Sequence, residues 1–386
     1  MENWDDVWRR NQFLCAGLAR RFPGIKILFV GLPRNVTNDL RHGRMPPLGA
    51  AESAVPGLPG ITLTRPLKLL PDTLGWGRRL NEALFRAGVA RAARRLGMRS
   101  PTLWLNPHSA VHMAGKMGES AVIYDITDDW TTLTQSPALA KRTIGQDAAL
   151  CRRADAVIVC SERLYEMKRG LAKHLHLIPN GVDAGHYTAV LDGTGPLPFP
   201  ADGWANPVLG YTGTVHPDRV DVSLVESLAR RFPAGTIALV GPNLLAGEDR
   251  QRLAACGNVA LTGPVPYAHI PDTMRAFDVC ITPHRMTAFT ESLNPIKLWE
   301  YLAAGKPIVA TDVAGFRDYP QFVHLASDAD SFGRAVEDAL SEQDSTAGEG
   351  RRAEARRHSW EARLDQVAEL LAGKPAPQRK EASHVS

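Results

Sequence analysis

Short β-branched and aliphatic runs alternate with helical patterns along the whole chain, which is how parallel sheets covered by helices are written. In the first half, residues 25–31, 102–105, 121–124, 156–160 and 174–179 read as strands, separated by helical periodicity over 10–21, 77–97 and 143–153. A second series of strands, 208–211, 236–240, 259–261, 279–282, 308–310 and 322–325, follows a Pro/Gly-rich stretch at 192–203 that has the composition of a linker. Residues 352–371 carry Trp360, Leu364, Val367 and Leu371 on one helical stripe. The polar, proline-containing residues after them read as a disordered tail. The pattern predicts an α/β chain: a first domain at 1–185, a linker at 186–206, a second domain at 207–350, a helix at 351–372 and a tail at 373–386.

The front of the chain departs from this pattern. A helix follows Met1 almost at once, whereas an open parallel sheet begins with a central strand, and no strand pattern precedes Trp4. Two readings stay open: the true start lies upstream of Met1 and supplies a first strand, or the first sheet begins one strand short.

Composition narrows the class. The chain has 386 residues, 44% hydrophobic and 22% charged, enough for two domains with their own cores and incompatible with a disordered or fibrous chain. No apolar run approaches the roughly 18 residues that span a bilayer, and the acidic N-terminus is unlike a signal peptide. A cytoplasmic, soluble protein is expected. The five cysteines are scattered and form no C-x-x-C pair, so neither a disulfide framework nor a zinc ribbon is encoded.

Candidate chemistry concentrates at 289–310. Asn294 followed by Pro295 has the form of a helix start, with Asn as cap and Pro at the first helical position. Gly305 and Pro307 mark the stop. The exposed N–H groups and positive dipole of such a start favour phosphate, and Lys297 in the first turn adds a full charge. Glu300, three residues on, shares the side of Lys297 and is suited to accept the hydroxyls of a ribose.

Glu300-Tyr-Leu-Ala-Ala-Gly-Lys-Pro-Ile-Val309 resembles the acidic signature of the GT-B glycosyltransferases, above all the large retaining family 4 (group 1), whose second domain carries two glutamates separated by seven residues. Leu177-Ile-Pro-Asn-Gly-Val-Asp183 is similar to that family's domain-junction segment. Leu209-Gly-Tyr-Thr-Gly-Thr-Val215 is similar to its first strand and loop of the nucleotide domain. The resemblance implies two Rossmann-like domains facing across a cleft, with the C-terminal helix crossing back to the first domain. It implies a nucleotide diphosphate sugar as donor substrate, with no cofactor and no metal. Gly213, Arg219, Ser292, Asn294, Lys297 and Glu300 are the expected donor-binding residues.

The chain departs from the family pattern in three places. Ser292 stands where the first glutamate is expected, with Glu291 one residue earlier; the loop His216-Pro-Asp-Arg219 offers only Arg219 as a cation; and Val122-Ile-Tyr-Asp-Ile-Thr-Asp-Asp-Trp130 has Thr127 at the position of the family's histidine. The last segment is closer to a bacterial envelope-polysaccharide subset. Asp128, Glu291 and Lys297 are the catalytic candidates, and His108 and Asp129 the acceptor-side ones. Each residue also has an ordinary structural reading: a cap for Asn294, a solvated helix position for Glu300, a turn for Asp128 and Asp129. His108 and His112 lack a third ligand, which disfavours a metal site.

The net charge of +4 hides an uneven distribution: residues 78–99 hold Arg78, Arg79, Arg86, Arg91, Arg94, Arg95 and Arg99 against Glu82. Such a basic helix is either a solvated face or a dock for an anionic membrane. No nucleic-acid motif accompanies the charge. The expected function is transfer of a hexose to a lipid-linked or polysaccharide intermediate of the bacterial envelope, probed from the cytoplasm or the inner membrane face. The alternative is a catalytically silent GT-B protein that binds a nucleotide sugar or scaffolds an assembly.

Overall fold

In the computed structural model of the chain, residues 3–4, 8–36, 52–70, 75–132, 136–342 and 346–373 are described. The expected tail at 373–386 lies, from 374 on, outside the described residues. The chain opens with helix α1 (Arg10–Arg21) and strand β1 (Ile27–Val30), then β2 (Ile61–Thr64), which carries no clear strand signal in the sequence. Helix α2 (Gly75–Arg95), β3 (Thr102–Leu105), β4 (Ala121–Ile126), α3 (Pro137–Arg153), β5 (Ala156–Val159), α4 (Glu162–Lys168) and β6 (Leu175–Leu177) complete the first half. The second half runs β7 (Val208–Thr212), α5 (Val222–Arg231), β8 (Thr236–Val240), α6 (Gly247–Ala255), β9 (Val259–Gly263), β10 (Val279–Thr282), α7 (Ile296–Ala304), β11 (Ile308–Thr311), β12 (Val323–Ala326) and α8 (Ala329–Leu340).

The two halves differ in how their strands join. In the second, six parallel strands form one sheet in the order β9-β8-β7-β10-β11-β12, the doubly wound arrangement that reverses direction between β7 and β10. Four of these strands, β7, β8, β10 and β11, are buried along their length, with both faces covered, which is why they read as continuous apolar runs. Only β9, at the edge, is half-buried throughout. In the first half the main strands form two separate parallel pieces, β1 with β2 and β3-β4-β5-β6; Ser53–Ala54 adds a short antiparallel edge to β2, and Arg34–Asn35 pairs with Leu67–Lys68 in a third, two-stranded piece. Leu28 and Val30 of β1 nevertheless pack against the core built on β3, β4 and β5.

The C-terminal helix is two helices. α9 (Ala347–Arg357) packs with α7 on the second half, and α10 (Trp360–Leu371) packs on α1 through Trp360, Leu364 and Val367 against Phe13, Leu14 and Leu18. The break has a clear cause. Val182 donates to the His358 carbonyl and accepts from Trp360 N–H, so residues 358–360 are paired to the domain junction and leave the helical path. Ser359 then caps α10 by accepting from Ala362 N–H. Much of the stretch between the halves is also folded down, since Tyr187 and Val190 belong to the core of the second half.

Candidate nucleotide-sugar site

The reversal between β7 and β10 opens a crevice at the carboxyl ends of the strands, and three segments converge there. Gly213, just after β7, has φ +143°, and a Cβ on it would sit 3.0 Å from Lys297 Cε. Gly241, after β8, has φ +140°, and a Cβ there would strike the Gly213 carbonyl at 2.2 Å. Gly241 is thus required by close backbone approach, and both positions favour glycine through their positive φ, whatever binds there. The third segment is the head of α7.

That head differs from the expectation in an informative way. The N-cap is Pro295, with no side-chain cap, and the helix starts at Ile296. Asn294 is engaged elsewhere: its Oδ1 accepts from Asn180 N–H at 2.9 Å, and its carbonyl accepts from Asn180 Nδ2 at 2.6 Å. No side chain caps the first turn of α7; Leu298 N–H bonds the Pro295 carbonyl, and the Ile296 and Lys297 N–H groups stay open to an anion. Lys297 Nζ donates to Glu300 Oε2 at 2.6 Å, with Glu300 almost fully buried and Lys297 partly exposed. Tyr187 and Tyr267 lie beside Glu300; burial first, and then the Glu300 charge, hold both phenols above their usual range. Neither tyrosine stands out in the sequence, because aromatic residues in a linker and a loop read as packing.

A second cluster bridges the cleft. Arg219 Nη2 donates to Asp128 Oδ1 at 3.1 Å, and the Arg219 guanidinium also lies 5.5 Å from the centre of the Phe289 ring. Phe289 in turn meets Trp130 from the first half. The expected catalytic carboxylate Asp128 and the expected donor-side cation Arg219 are therefore each other's partners. Asp129 is buried and accepts from Thr131 N–H, so its visible role is to shape the turn after β4. His216, in the loop after β7 that carries Arg219, has its pKa lowered by burial. His284, after β10, is buried with both ring nitrogens unpartnered, and burial pulls its pKa down to about 3.

Glu291 and Ser292 point into other networks. Both Glu291 carboxylate oxygens accept from Arg317 at 3.0 and 3.1 Å, on the side of the loop that lines a cavity of about 930 Å³ with Ser161, Pro179, Asn294, Tyr319 and Arg363. Ser292 is buried, its hydroxyl donating to the Phe289 carbonyl, while its own carbonyl accepts from Ser161 Oγ at 2.6 Å. His108 begins a 3-10 turn that ends at His112, away from the cluster around Lys297; burial lowers its pKa. No group of three or more His, Cys, Asp or Glu residues that could hold a metal forms among the described residues.

The sequence reading assigned no chemistry to the junction that holds the site together. Arg10, buried on α1, donates to Asp125 Oδ2 at 3.1 Å, to the Pro179 carbonyl at 3.1 Å and to Asn180 Oδ1 at 3.2 Å. Trp104 Nε1 donates to the same Asp125 oxygen. A buried chain thus runs from β4 through Arg10 and Asn180 to Asn294 at the head of α7. One signal was available: Arg10, Phe13, Leu14 and Leu18 occupy one helical stripe, and an arginine in an apolar stripe needs a buried partner.

Comparison with known proteins speaks to the family and the fold. Residues 206–342 match the family described as glycosyl transferases group 1. The teichuronic acid biosynthesis glycosyltransferase TuaH of Bacillus subtilis is 29% identical over 262 residues, covering 64% of this chain and 65% of that protein. The lipopolysaccharide core biosynthesis mannosyltransferase LpsB of Rhizobium meliloti is 29% identical over 192 residues, covering 47% of this chain and 52% of that protein. The alignments therefore span under two thirds of the first relative and about half of the second. Among solved structures, sucrose-phosphate synthase of Thermosynechococcus elongatus superposes with a TM-score of 0.70 at 17% identity, over 95% of this chain and 94% of that one. Anabaena HepE in complex with UDP and glucose superposes with a TM-score of 0.67 at 17% identity, over 97% and 98%. These superpositions establish the GT-B fold.

Proposed function

Because the chain has the GT-B fold and carries a group 1 glycosyltransferase domain at 206–342, we propose that it moves a sugar from a nucleotide diphosphate sugar to a hydroxyl acceptor of the bacterial envelope, lipid-linked or polysaccharide. The observation that carries the reading is the uncapped head of α7 beside Lys297, Glu300 and the close-packed Gly213. Open N–H groups and the Lys297 ammonium would receive the diphosphate, and Glu300 would exchange part of its bond to Lys297 for the ribose hydroxyls. Envelope relatives, and UDP in the solved complexes of a shared fold, support the substrate class.

In this mechanism the leaving diphosphate gains negative charge as the glycosidic bond breaks, and Lys297, Arg219 and the α7 head stabilise that charge without requiring a metal. Asp128 would take the acceptor hydroxyl proton once Arg219 turns from it to the diphosphate, so donor binding frees the base. Glu291 would reach the sugar only by leaving Arg317, which makes it the weaker catalytic candidate. The larger family's retention at the anomeric carbon and transfer of a hexose are adopted as part of the proposal.

A panel of UDP-, GDP- and dTDP-sugars, followed by calorimetric binding and by nucleotide release with an envelope lipid extract, tests it. Binding with acceptor-dependent release is expected, and Glu300→Ala should weaken nucleotide binding about 10-fold. Absence of binding to every donor overturns the reading. Binding without turnover in any extract would favour the second reading, a silent nucleotide-sugar binder, for which the missing histidine at Thr127 and the engaged Glu291 are the supporting observations.

A further inference from the structure

Helix α2 presents an outer face unlike a solvated one. Trp76, Arg79, Leu80, Ala83, Ala87, Arg91 and Arg94 are all exposed and fall within one stripe of the helical wheel, opposite the buried Gly77, Asn81, Val89 and Ala92. Trp76 is 63% exposed and Leu80 44%. An ordinary water-facing stripe holds acids and neutral polar residues; this one holds only apolar residues and arginines. Glu82 lies off the stripe and is paired with Arg78, and Arg95 is paired with Glu52. Arg79, Arg91 and Arg94 form no ion pair among the described residues.

Trp76, Leu80, Ala83 and Ala87, with Arg79 among them, take the first half of the stripe, and Arg91 and Arg94 take the second, over about 27 Å from end to end. We propose that this face docks flat on an anionic bilayer, with Trp76 and Leu80 entering the headgroup boundary and Arg79, Arg91 and Arg94 meeting lipid phosphates. Charge complementarity selects the occupant: a cationic, acid-free stripe with a tryptophan at one end fits a negatively charged interface. No helix among the described residues is long and apolar enough to cross a membrane, so the contact would be peripheral.

The placement suits an acceptor held in lipid. The side of α2 away from the stripe touches the 3-10 turn at His108–His112, where Arg86 meets the His112 carbonyl and Phe85 meets its ring edge-on. Docking would therefore hold the acceptor-side turn about 10 Å from the bilayer, with α2 between them. The biological purpose of the contact rests on the proposed lipid-linked acceptor; the contact itself can be tested without any sugar transfer.

The test is flotation of the full chain with vesicles of phosphatidylcholine alone or mixed in equal parts with phosphatidylglycerol. Flotation with the mixed vesicles only, weakening as salt rises, is expected. Replacing Arg79, Arg91 and Arg94 together by Gln should lower the partition coefficient about 100-fold, while replacing them by Lys should largely preserve it. Trp76→Ser with Leu80→Ser should reduce binding at every salt concentration. Melting temperature and UDP affinity in solution should not move in any variant, because none touches the core or the donor crevice. Equal flotation with both vesicle types, flotation with neither, or undiminished flotation of the Gln variant overturns the proposal. So does a dimer in sedimentation that the Ser variant dissociates, which would assign the face to a second copy of the chain.

Discussion

The donor cluster and the domain junction meet at the head of α7 and are built in opposite ways. Lys297 and Glu300 stand one helical turn apart, and their ion pair is short-range in sequence and open on one side to solvent. The junction gathers Arg10, Asp125, Asn180 and Asn294 from four distant segments and buries nearly all of them. The first arrangement leaves charge available to a ligand. The second consumes its hydrogen bonds internally and fixes where the first arrangement sits. A residue's closeness to the site therefore does not define its role: Asn294 lies three residues from Lys297 and faces the junction.

If this division is right, mutations on the two sides should separate stability from donor chemistry. The largest effect is expected at Arg10→Met, which leaves the Asp125 carboxylate buried without its cation. Removing one partner of such a pair costs about 3–5 kcal/mol. Chemical denaturation should show a loss of that size, and UDP affinity of the remaining folded fraction should stay near wild type. Pairing it with Asp125→Asn should recover part of the loss, because the stranded charge is gone. A stable Arg10→Met protein with lost UDP binding would move Arg10 from the junction to the ligand and break the comparison.

Lys297→Ala tests the other side. Lys297 is partly exposed but its partner Glu300 is buried, so water replaces the ammonium only in part and denaturation should show a loss of about 1–2 kcal/mol, smaller than that of Arg10→Met. Turnover should fall about 100-fold if the ammonium stabilises the departing diphosphate, equivalent to about 2.7 kcal/mol of transition-state stabilisation. Normal turnover, or unfolding on the scale of Arg10→Met, would erase the distinction between the regions.

The same contrast explains what could be read from the sequence. The second sheet was legible because buried parallel strands write themselves as apolar runs, and the α7 segment was legible because cap, cation and acid are contiguous. β2 was not, since Ile61-Thr-Leu-Thr64 is short and only partly apolar. The break at His358–Ser359 was not, because pairing with Val182 overrides a local helical pattern that continues on both sides. Asn294 reads as a cap in isolation; only the fold brings Asn180 to it. Partners that are far apart in sequence leave no spacing to read.

His284 offers the finest test, because it lies in the crevice yet is built like a junction residue. It is buried, both ring nitrogens lack partners, and burial together with the nearby Arg219 lowers its pKa from 6.5 to about 3. The folded protein keeps this imidazole neutral, whereas the unfolded chain protonates it below its ordinary pKa. Stability from this group is therefore complete above about pH 6.5 and is lost as pH falls toward 3. At about pH 5 the loss is about 2 kcal/mol, from roughly 1.5 pH units at 1.36 kcal/mol each. His284→Leu has similar volume and gives up no hydrogen bond, so at pH 7.5 its stability should match wild type to within about 1.5 kcal/mol. As pH is lowered to 5 the variant should gain on wild type by about 2 kcal/mol in paired denaturation curves. A parallel response of the two proteins would mean that His284 titrates normally in the folded state, and so that ligand or solvent reaches its ring. That result would move it to the open side of the comparison, with Lys297.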